Sequence, residues 1–314
     1  MHPVLFFLAG LLILSLFSGG YVFFVACRRT KELNWLVREE LERTPYGEFY
    51  DNVVAADQWL KQHVVQDVYM NSYDGLRLHA LWIPAKDAKG TILLAHGYRS
   101  SYLLDFAMVF DVYHQFGFNL LVPDQRSHGM SEGKYITFGV KESRDMEEWV
   151  TFHNQHFGTI PLILNGLSMG ASTVLYMADA KLPDNVKGII ADCGFTSPKA
   201  ILKNVYRSVI RLPASLSIWA TDIFARIFAH FRLAEKDTRK TLANSQLPVL
   251  MIHGLADDFV SCEMTKQAYA ACTSDKQLLL VAGAGHGVSF LSDPVGYTAA
   301  VLYFLKRNID NFAI

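Results

Sequence analysis

Cysteine is scarce in this chain: four among 314 residues, at Cys27, Cys193, Cys262 and Cys272, with no CxxC pair. That excludes a disulfide scaffold and argues against structural zinc, as does the lack of any HExxH. Charge is balanced as well, 29 Lys plus Arg against 30 Asp plus Glu, for a formal net charge of -1. Without a basic excess the chain lacks the phosphate-neutralising surface of a nucleic-acid binder. Internal repeats and low-complexity tracts are missing too. With 51 % hydrophobic and 19 % charged residues, disorder and collagen-like structure are excluded. At about 150 residues per domain the length corresponds to one large domain or two small ones.

What is present begins with a charge-free run from Pro3 to Ala26, PVLFFLAGLLILSLFSGGYVFFVA. As a helix it is about 36 Å long, enough to cross a hydrocarbon core of about 30 Å. A cleaved signal needs a basic stretch before a shorter apolar run, and only Met1 and His2 precede this one. Phe24-Val25-Ala26-Cys27 loosely resembles a bacterial lipobox, but its leading Phe and the missing basic stretch count against it. Positive charge follows instead, as Arg28-Arg29-Thr30-Lys31. Residues 1–29 are therefore expected to form an uncleaved single-span anchor held by residues 3–26. The positive-inside bias places the remainder on the cytoplasmic face of the cell membrane. No second apolar run of that length follows, so a tethered globular protein is expected and not a channel.

Residues 30–65 read as juxtamembrane helical material, and 66–314 as one α/β domain. Val68–Tyr73 and Leu76–Ile83 flank Asp74-Gly75, a hairpin turn. Six further apolar runs have strand character: Thr91–Ala95, Asn119–Val122, Pro161–Asn165, Val186–Ala191, Pro248–Ile252 and Gln277–Val281. Helix-length stretches lie between them, including Leu103–Phe116, Lys141–His156, Met169–Ala180, Cys262–Cys272 and Val295–Asn308. Continuous apolar strands separated by helices predict a mostly parallel eight-stranded sheet covered on both faces. The interval from about 197 to 247, punctuated by Pro198 and Pro213, is too long for a crossover and reads as an inserted helical cap.

Gly166-Leu167-Ser168-Met169-Gly170 matches G-x-S-x-G between an apolar strand and a plausible helix, the context of a nucleophile elbow. The competing reading is a Gly-rich turn with an incidental serine. A hydroxyl needs a base, and the base an orienting partner. His286, in Gly283-Ala284-Gly285-His286-Gly287, is the histidine beyond residue 253 and follows a strand. For the acid, Asp257 in His253-Gly254-Leu255-Ala256-Asp257-Asp258 is preferred, with Asp192 and Asp258 as competitors. The oxyanion donors are expected at the backbone N–H of Met169 and of Tyr98, in His96-Gly97-Tyr98-Arg99. His96 and the segment Asp124-Gln125-Arg126-Ser127-His128-Gly129-Met130-Ser131 are expected to hold loop geometry instead of taking part in catalysis.

Taken together, His96-Gly97, DQRSHGMS, GLSMG, HGLADDFV and GAGHG resemble the α/β-hydrolase superfamily in order and spacing, over roughly residues 65 to 310. The chain is most similar to bacterial membrane-tethered hydrolases of the serine aminopeptidase and monoacylglycerol-lipase-like branch. Gln125-Arg126-Ser127-His128 departs from relatives that often carry Gly before the His, in a structural loop. The resemblance implies Ser168 as nucleophile, His286 as base, Asp257 as acid and the Tyr98 and Met169 amides as oxyanion hole, with no metal or organic cofactor. Ester cleavage through an acyl-enzyme is expected, on small lipophilic ester or acyl substrates, with the rate rising through roughly pH 6 to 7.5 as for an imidazole base. Tyr206, Trp219, Phe224, Phe228 and Phe231 of the cap suggest an apolar pocket, or ordinary helix packing. An aminopeptidase would need cap carboxylates, and Asp222, Glu235 and Asp237 are the acids there. A serine at 168 disfavours dehalogenase and epoxide-hydrolase chemistry, which use a carboxylate nucleophile. A non-catalytic binding protein on the same fold is the alternative outside enzymes.

Overall fold

The computed structural model describes residues 3–44, 46–209, 215–310 and 312. Eight strands form one sheet: β1 Gln66–Asn71, β2 Arg77–Ile83, β3 Gly90–Ala95, β4 Phe118–Pro123, β5 Leu162–Leu167, β6 Val186–Asp192, β7 Val249–Gly254 and β8 Lys276–Val281. Their order is β1-β2-β4-β3-β5-β6-β7-β8. β2 is antiparallel to β1 and β4, and the remaining pairs are parallel. This is the mostly parallel eight-stranded sheet that the apolar runs predict, and the α/β-hydrolase architecture that the resemblance implies.

Successive strand side chains point to opposite faces, so a run apolar at every position buries both. One face carries Ile92, Leu94, Leu120, Val122, Ile190 and Ile252 against Phe110, Tyr113, Tyr297 and Phe304. The other carries Leu93, Leu121, Leu164, Ile189 and Met251 against Met146, Trp149 and Val174. The helix Tyr50–Gln62 joins the first layer through Ala56 and Leu60. Leu103–Phe116, expected as one helix, is two: Tyr102–Phe106, capped by the Ser101 hydroxyl, and Phe110–Gln115. The break between them lets Phe110 and Tyr113 reach the core while Met108 and Val109 face a cavity.

Between β6 and β7 the chain forms the cap: helices Pro198–Val209, Ser215–Phe224 and Thr238–Leu242, with a π-helical turn at Ala225–Ala229. Pro213, taken as punctuation, lies outside the described residues. The N-terminal helix Pro3–Cys27 is long and apolar enough to cross a membrane. It lies side by side with Ser215–Phe224, so close that a Cβ on Gly19 would sit 2.4 Å from the Ala220 Cβ. Its end is tied to the domain. The Cys27 carbonyl accepts from the Ile136 amide at 2.7 Å, and Arg29 donates to the Ser131 and Gly129 carbonyls at 2.6 Å each.

At the β1–β2 turn, Asp74 accepts from the Arg126 guanidinium at 3.0 Å through each oxygen. Partial burial pushes the Asp74 carboxyl up, but hydrogen bonds from Arg126 and Ser72 outweigh it and hold it well below the usual carboxylate range. A depressed carboxyl contributes stability above its unfolded value and loses it as pH falls through the folded one. Thermal melts of the wild type should therefore drop as pH is lowered below about 4, and Asp74→Asn should flatten that drop. Parallel acid limbs for the two proteins would contradict it.

Candidate active site

β5 ends at Leu167 and the helix Met169–Leu175 begins two residues later, leaving Ser168 alone at the turn. Its φ of 56° lies in the left-handed region, a conformation costing about 1–3 kcal/mol for a residue with a side chain. The flanking glycines are needed for a steric reason. A Cβ on Gly170 would lie 1.7 Å from the Ala95 carbonyl oxygen, and one on Gly166 2.2 Å from the Gly170 carbonyl carbon. β3 ends directly against the turn, and side chains at those positions would push it away.

Three side chains from distant stretches meet at this rim of the sheet. His286 Nε2 lies 2.8 Å from Ser168 Oγ, and His286 Nδ1 lies 2.7 Å from Asp257 Oδ2. Asp257 Oδ1 accepts from the amides of Phe259 at 3.0 Å and Val260 at 2.8 Å. Burial pushes the Asp257 carboxyl up, but hydrogen bonds from His253 and His286, the His286 charge and the Val260 amide outweigh it. The carboxyl is held well below the usual range, so it is an anion at neutral pH. An anion facing Nδ1 assigns the proton to that nitrogen and leaves Nε2 to accept from the Ser168 hydroxyl.

The competing carboxylates stand elsewhere. Asp192 accepts from the Ser289 hydroxyl at 2.9 Å, and burial pushes its carboxyl up to about 6. Asp258 is exposed at the cavity. His253, fully buried, supports Asp257 from behind with Nε2 at 3.2 Å from Oδ2. Its position four residues before Asp257, at the end of β7, was visible in the sequence, but nothing local distinguished it from an ordinary core histidine.

The loop after β3 has its amides used on either side of Tyr98. The Gly97 N–H donates to Asp105 Oδ2 at 2.5 Å, and the Arg99 N–H donates to His128 Nε2 at 3.0 Å. Burial holds His128 well below its ordinary value, so the ring is neutral and can accept. Among the described residues neither the Tyr98 N–H nor the Met169 N–H has an acceptor. His96 accepts from the Gln125 N–H at 3.0 Å, so both histidines brace loop backbone. Asp105 also takes the Ser100 hydroxyl at 2.5 Å. Nothing in the sequence pointed to Asp105, because its partners, the Gly97 amide and the Ser100 hydroxyl, form no recognisable motif with it.

Ser168 and His286 open into a cavity of about 750 Å³ walled by Trp35, Phe49, Leu104, Met108 and Phe290. The cap aromatics do not make this wall. Phe224 and Phe228 stand with ring centroids 6.4 and 5.9 Å from that of Phe23 on the N-terminal helix. Tyr206 and Phe231 are buried with Ile218 and Met169, and Trp219 is half exposed. The N-terminal helix covers Phe224 and Phe228 on one side. The cap acids are engaged as well: Asp222 with Arg226, Glu235 with Arg144 at 3.3 Å, and Asp237 with Arg239 at 2.6 Å. Carboxylates that do reach the cavity are Glu48, Asp105, Asp192 and Asp258.

Cys193 approaches Asp257 and His286, with one ligand-type atom of each within 4.8 Å of the others. Burial pushes the Cys193 thiol well up, which keeps it protonated and a poor metal ligand. Both His286 nitrogens are already engaged within the protein.

Comparison with known proteins agrees with the fold. The chain is 28 % identical over 240 residues to the uncharacterized protein YqkD of Bacillus subtilis, covering 76 % of this chain and 78 % of that one. It is 23 % identical over 239 residues to an uncharacterized membrane protein of Saccharomyces cerevisiae, covering 74 % and 76 % respectively. The structure of the Pyrococcus furiosus esterase Pf2001 superposes with a TM-score of 0.64 at 24 % identity, over 79 % of this chain and 94 % of that one. The family model for serine aminopeptidase, S33, matches residues 86–221 and 206–291, well over half of the chain. By that match, and by the sheet order and elbow described above, the chain belongs to the S33 serine aminopeptidase family of α/β hydrolases.

Proposed function

We propose that this hydrolase cleaves carboxylic esters through Ser168, His286 and Asp257, on substrates with a lipophilic acyl or alcohol portion. The observation that carries the reading is the unbroken hydrogen-bonded path from Ser168 Oγ through the His286 ring to Asp257, at 2.8 and 2.7 Å. As Oγ attacks the ester carbonyl, its proton passes to Nε2, and the imidazolium is stabilised by the Asp257 anion. The developing oxyanion accepts from the Tyr98 and Met169 amides, whose protons are otherwise unused, with the N-terminus of the helix Met169–Leu175 behind the second. Nε2 returns the proton to the leaving alkoxide. Water, deprotonated by the same nitrogen, then releases the acid from the acyl-enzyme.

The aromatic and aliphatic cavity wall favours an ester with apolar substituents. The N-terminal helix favours attachment of the enzyme through residues 3–26 to the cytoplasmic face of the cell membrane, with Arg28, Arg29 and Lys31 at the headgroups. Glu48 and Asp258 on the same cavity support a second reading, an aminopeptidase whose substrate α-ammonium pairs with them.

Intact-mass measurement after treatment with a fluorophosphonate should show one adduct, mapped to Ser168 by digestion. No adduct, or one elsewhere, removes the proposal. A series of p-nitrophenyl esters of increasing chain length should be turned over faster than aminoacyl-p-nitroanilides; the reverse ranking selects the peptidase reading.

A further inference from the structure

We infer that the cap helix Ser215–Phe224 and the turn Ala225–Ala229 are themselves immersed in the lipid bilayer, beside the N-terminal helix, so that the hydrolase domain is partly sunk into the membrane. The inference rests on the membrane attachment proposed above and does not depend on which bond the enzyme cleaves.

The depth of the N-terminal helix sets the depth of the cap helix packed on it. Gly19 precedes Arg28, the first charged residue after the helix, by nine positions, which is about 14 Å along the axis. A headgroup layer takes up about 5–7 Å of each leaflet. With Arg28 among the headgroups, Gly19 therefore lies roughly 7 Å or more inside the hydrocarbon. Gly19 is also where the cap helix is closest. The Thr221 hydroxyl reaches the Gly19 carbonyl at 3.2 Å, the Ser18 and Ser217 hydroxyls pair, and Gly20 faces the Phe224 ring. Whatever depth the N-terminal helix reaches at Gly19, Ser217–Thr221 share it.

The contact between the two helices is of a kind that lipid favours. At their closest approach the two helices meet through small residues, Ser18 and Gly19 on one and Ser217, Ala220 and Thr221 on the other, with Phe23, Phe24 and Phe224 packed beside them. Small residues with interhelical hydroxyl bonds are how helices associate in lipid, where apolar side chains gain nothing by leaving the solvent.

The outer surface of the cap is apolar beside the N-terminal helix. Leu216, Trp219, Ile227 and Phe228 of the cap are exposed, Trp219 at 50 % and Ile227 at 59 %. They continue the apolar surface of the N-terminal helix, since the exposed Phe228 and Phe24 rings are in contact with centroids 5.3 Å apart. Asp222, the one charge on Ser215–Phe224, is compensated within the cap by Arg226 and by the Leu233 amide at 2.7 Å. The cavity rim lies close by: the Tyr98 hydroxyl donates to the Ala26 carbonyl at 2.8 Å, and Tyr98 and Arg99 both line the cavity. A lipid-dissolved substrate would reach that rim without crossing bulk water.

The test uses the full chain reconstituted in phosphatidylcholine vesicles, with or without bromine on the acyl chains. Vesicle flotation is measured first. Trp219 emission is then obtained as the difference between wild type and Trp219→Phe, and it should fall by roughly half or more in brominated vesicles. A chain that fails to float overturns the membrane attachment and this inference together. A chain that floats with an unquenched Trp219 difference overturns the inference alone. In that second case a dimer mass in nanodiscs, read by mass photometry, identifies a second copy of the chain as the cover of this face and overturns the inference in its favour.

Discussion

Replacing Ser168 by alanine is expected to lower kcat on a p-nitrophenyl ester by roughly 10⁶-fold, the scale on which members of such a constellation act as a unit. His286→Ala should cost about as much, and the double variant no more than either single one. That non-additivity separates a relay from two independent contributions, because once the hydroxyl or its base is gone the other has nothing to act on. Asp257→Asn should fall by about 10⁴-fold with the fold intact, since an amide facing Nδ1 no longer favours the tautomer that leaves Nε2 free to accept. A residual rate above that of water should persist in all of them, because the Tyr98 and Met169 amides are main-chain atoms that none of these substitutions removes. Single-turnover rates with melting temperatures beside them would check the set. Additive losses at Ser168 and His286 would refute the relay.

The largest effect on stability is expected at Arg126, which has no place in that chemistry. Its guanidinium is buried and holds Asp145 at 2.6 Å through Nε and a second nitrogen, while also pairing with Asp74 at 3.0 Å. It thereby joins the β1–β2 turn, the loop after β4 and the helix Val140–His156. Arg126→Met leaves the buried Asp145 carboxylate without its cation, which costs about 3–5 kcal/mol. For a domain of this size that is a fall in Tm of roughly 10 °C. Burial already pushes the Asp145 carboxyl up against the opposing pull of Arg126. Without the arginine it rises further. A raised carboxyl binds its proton more tightly in the folded state; with Asp145 already pushed up to about 7 beside Arg126, the extra loss in Arg126→Met should be level below about pH 7 and grow above it. Arg126→Met combined with Asp145→Leu should recover most of the stability, because the pair and not the single charge fits the site. Thermal melts of the three proteins between pH 4 and 8 measure this. A single variant with an unchanged melting temperature, or one most unstable in acid, would contradict it.

The network around Arg126 also marks where reading the sequence stops. The segment Gln125-Arg126-Ser127-His128 could be assigned to loop support from its place after an apolar strand. The partners Asp74 and Asp145, 52 and 19 residues away, leave no local pattern, because their pairing depends on which elements become neighbours in the sheet and its covering helices.

Much was nevertheless determined by the sequence alone. Six apolar runs were legible as strands because a strand buried on both faces cannot alternate, and the half-exposed first strand and its partner were legible from the Asp74-Gly75 turn between them. The turn at Ser168 was legible because its steric demands fall on residues two positions to either side. The apolar run from Pro3 was legible because a membrane-length helix is a matter of length and composition. Tertiary structure decided which of Asp192, Asp257 and Asp258 stands at His286 Nδ1, and which loop amides keep their protons unused. It also decided that Trp35 and Phe49, not the cap aromatics, wall the cavity, and that the N-terminal helix lies along the cap. Each of these depends on the distance between atoms far apart in the chain. Local periodicity constrains which way a side chain faces within its own element, and the packing of one element on another determines what it meets there.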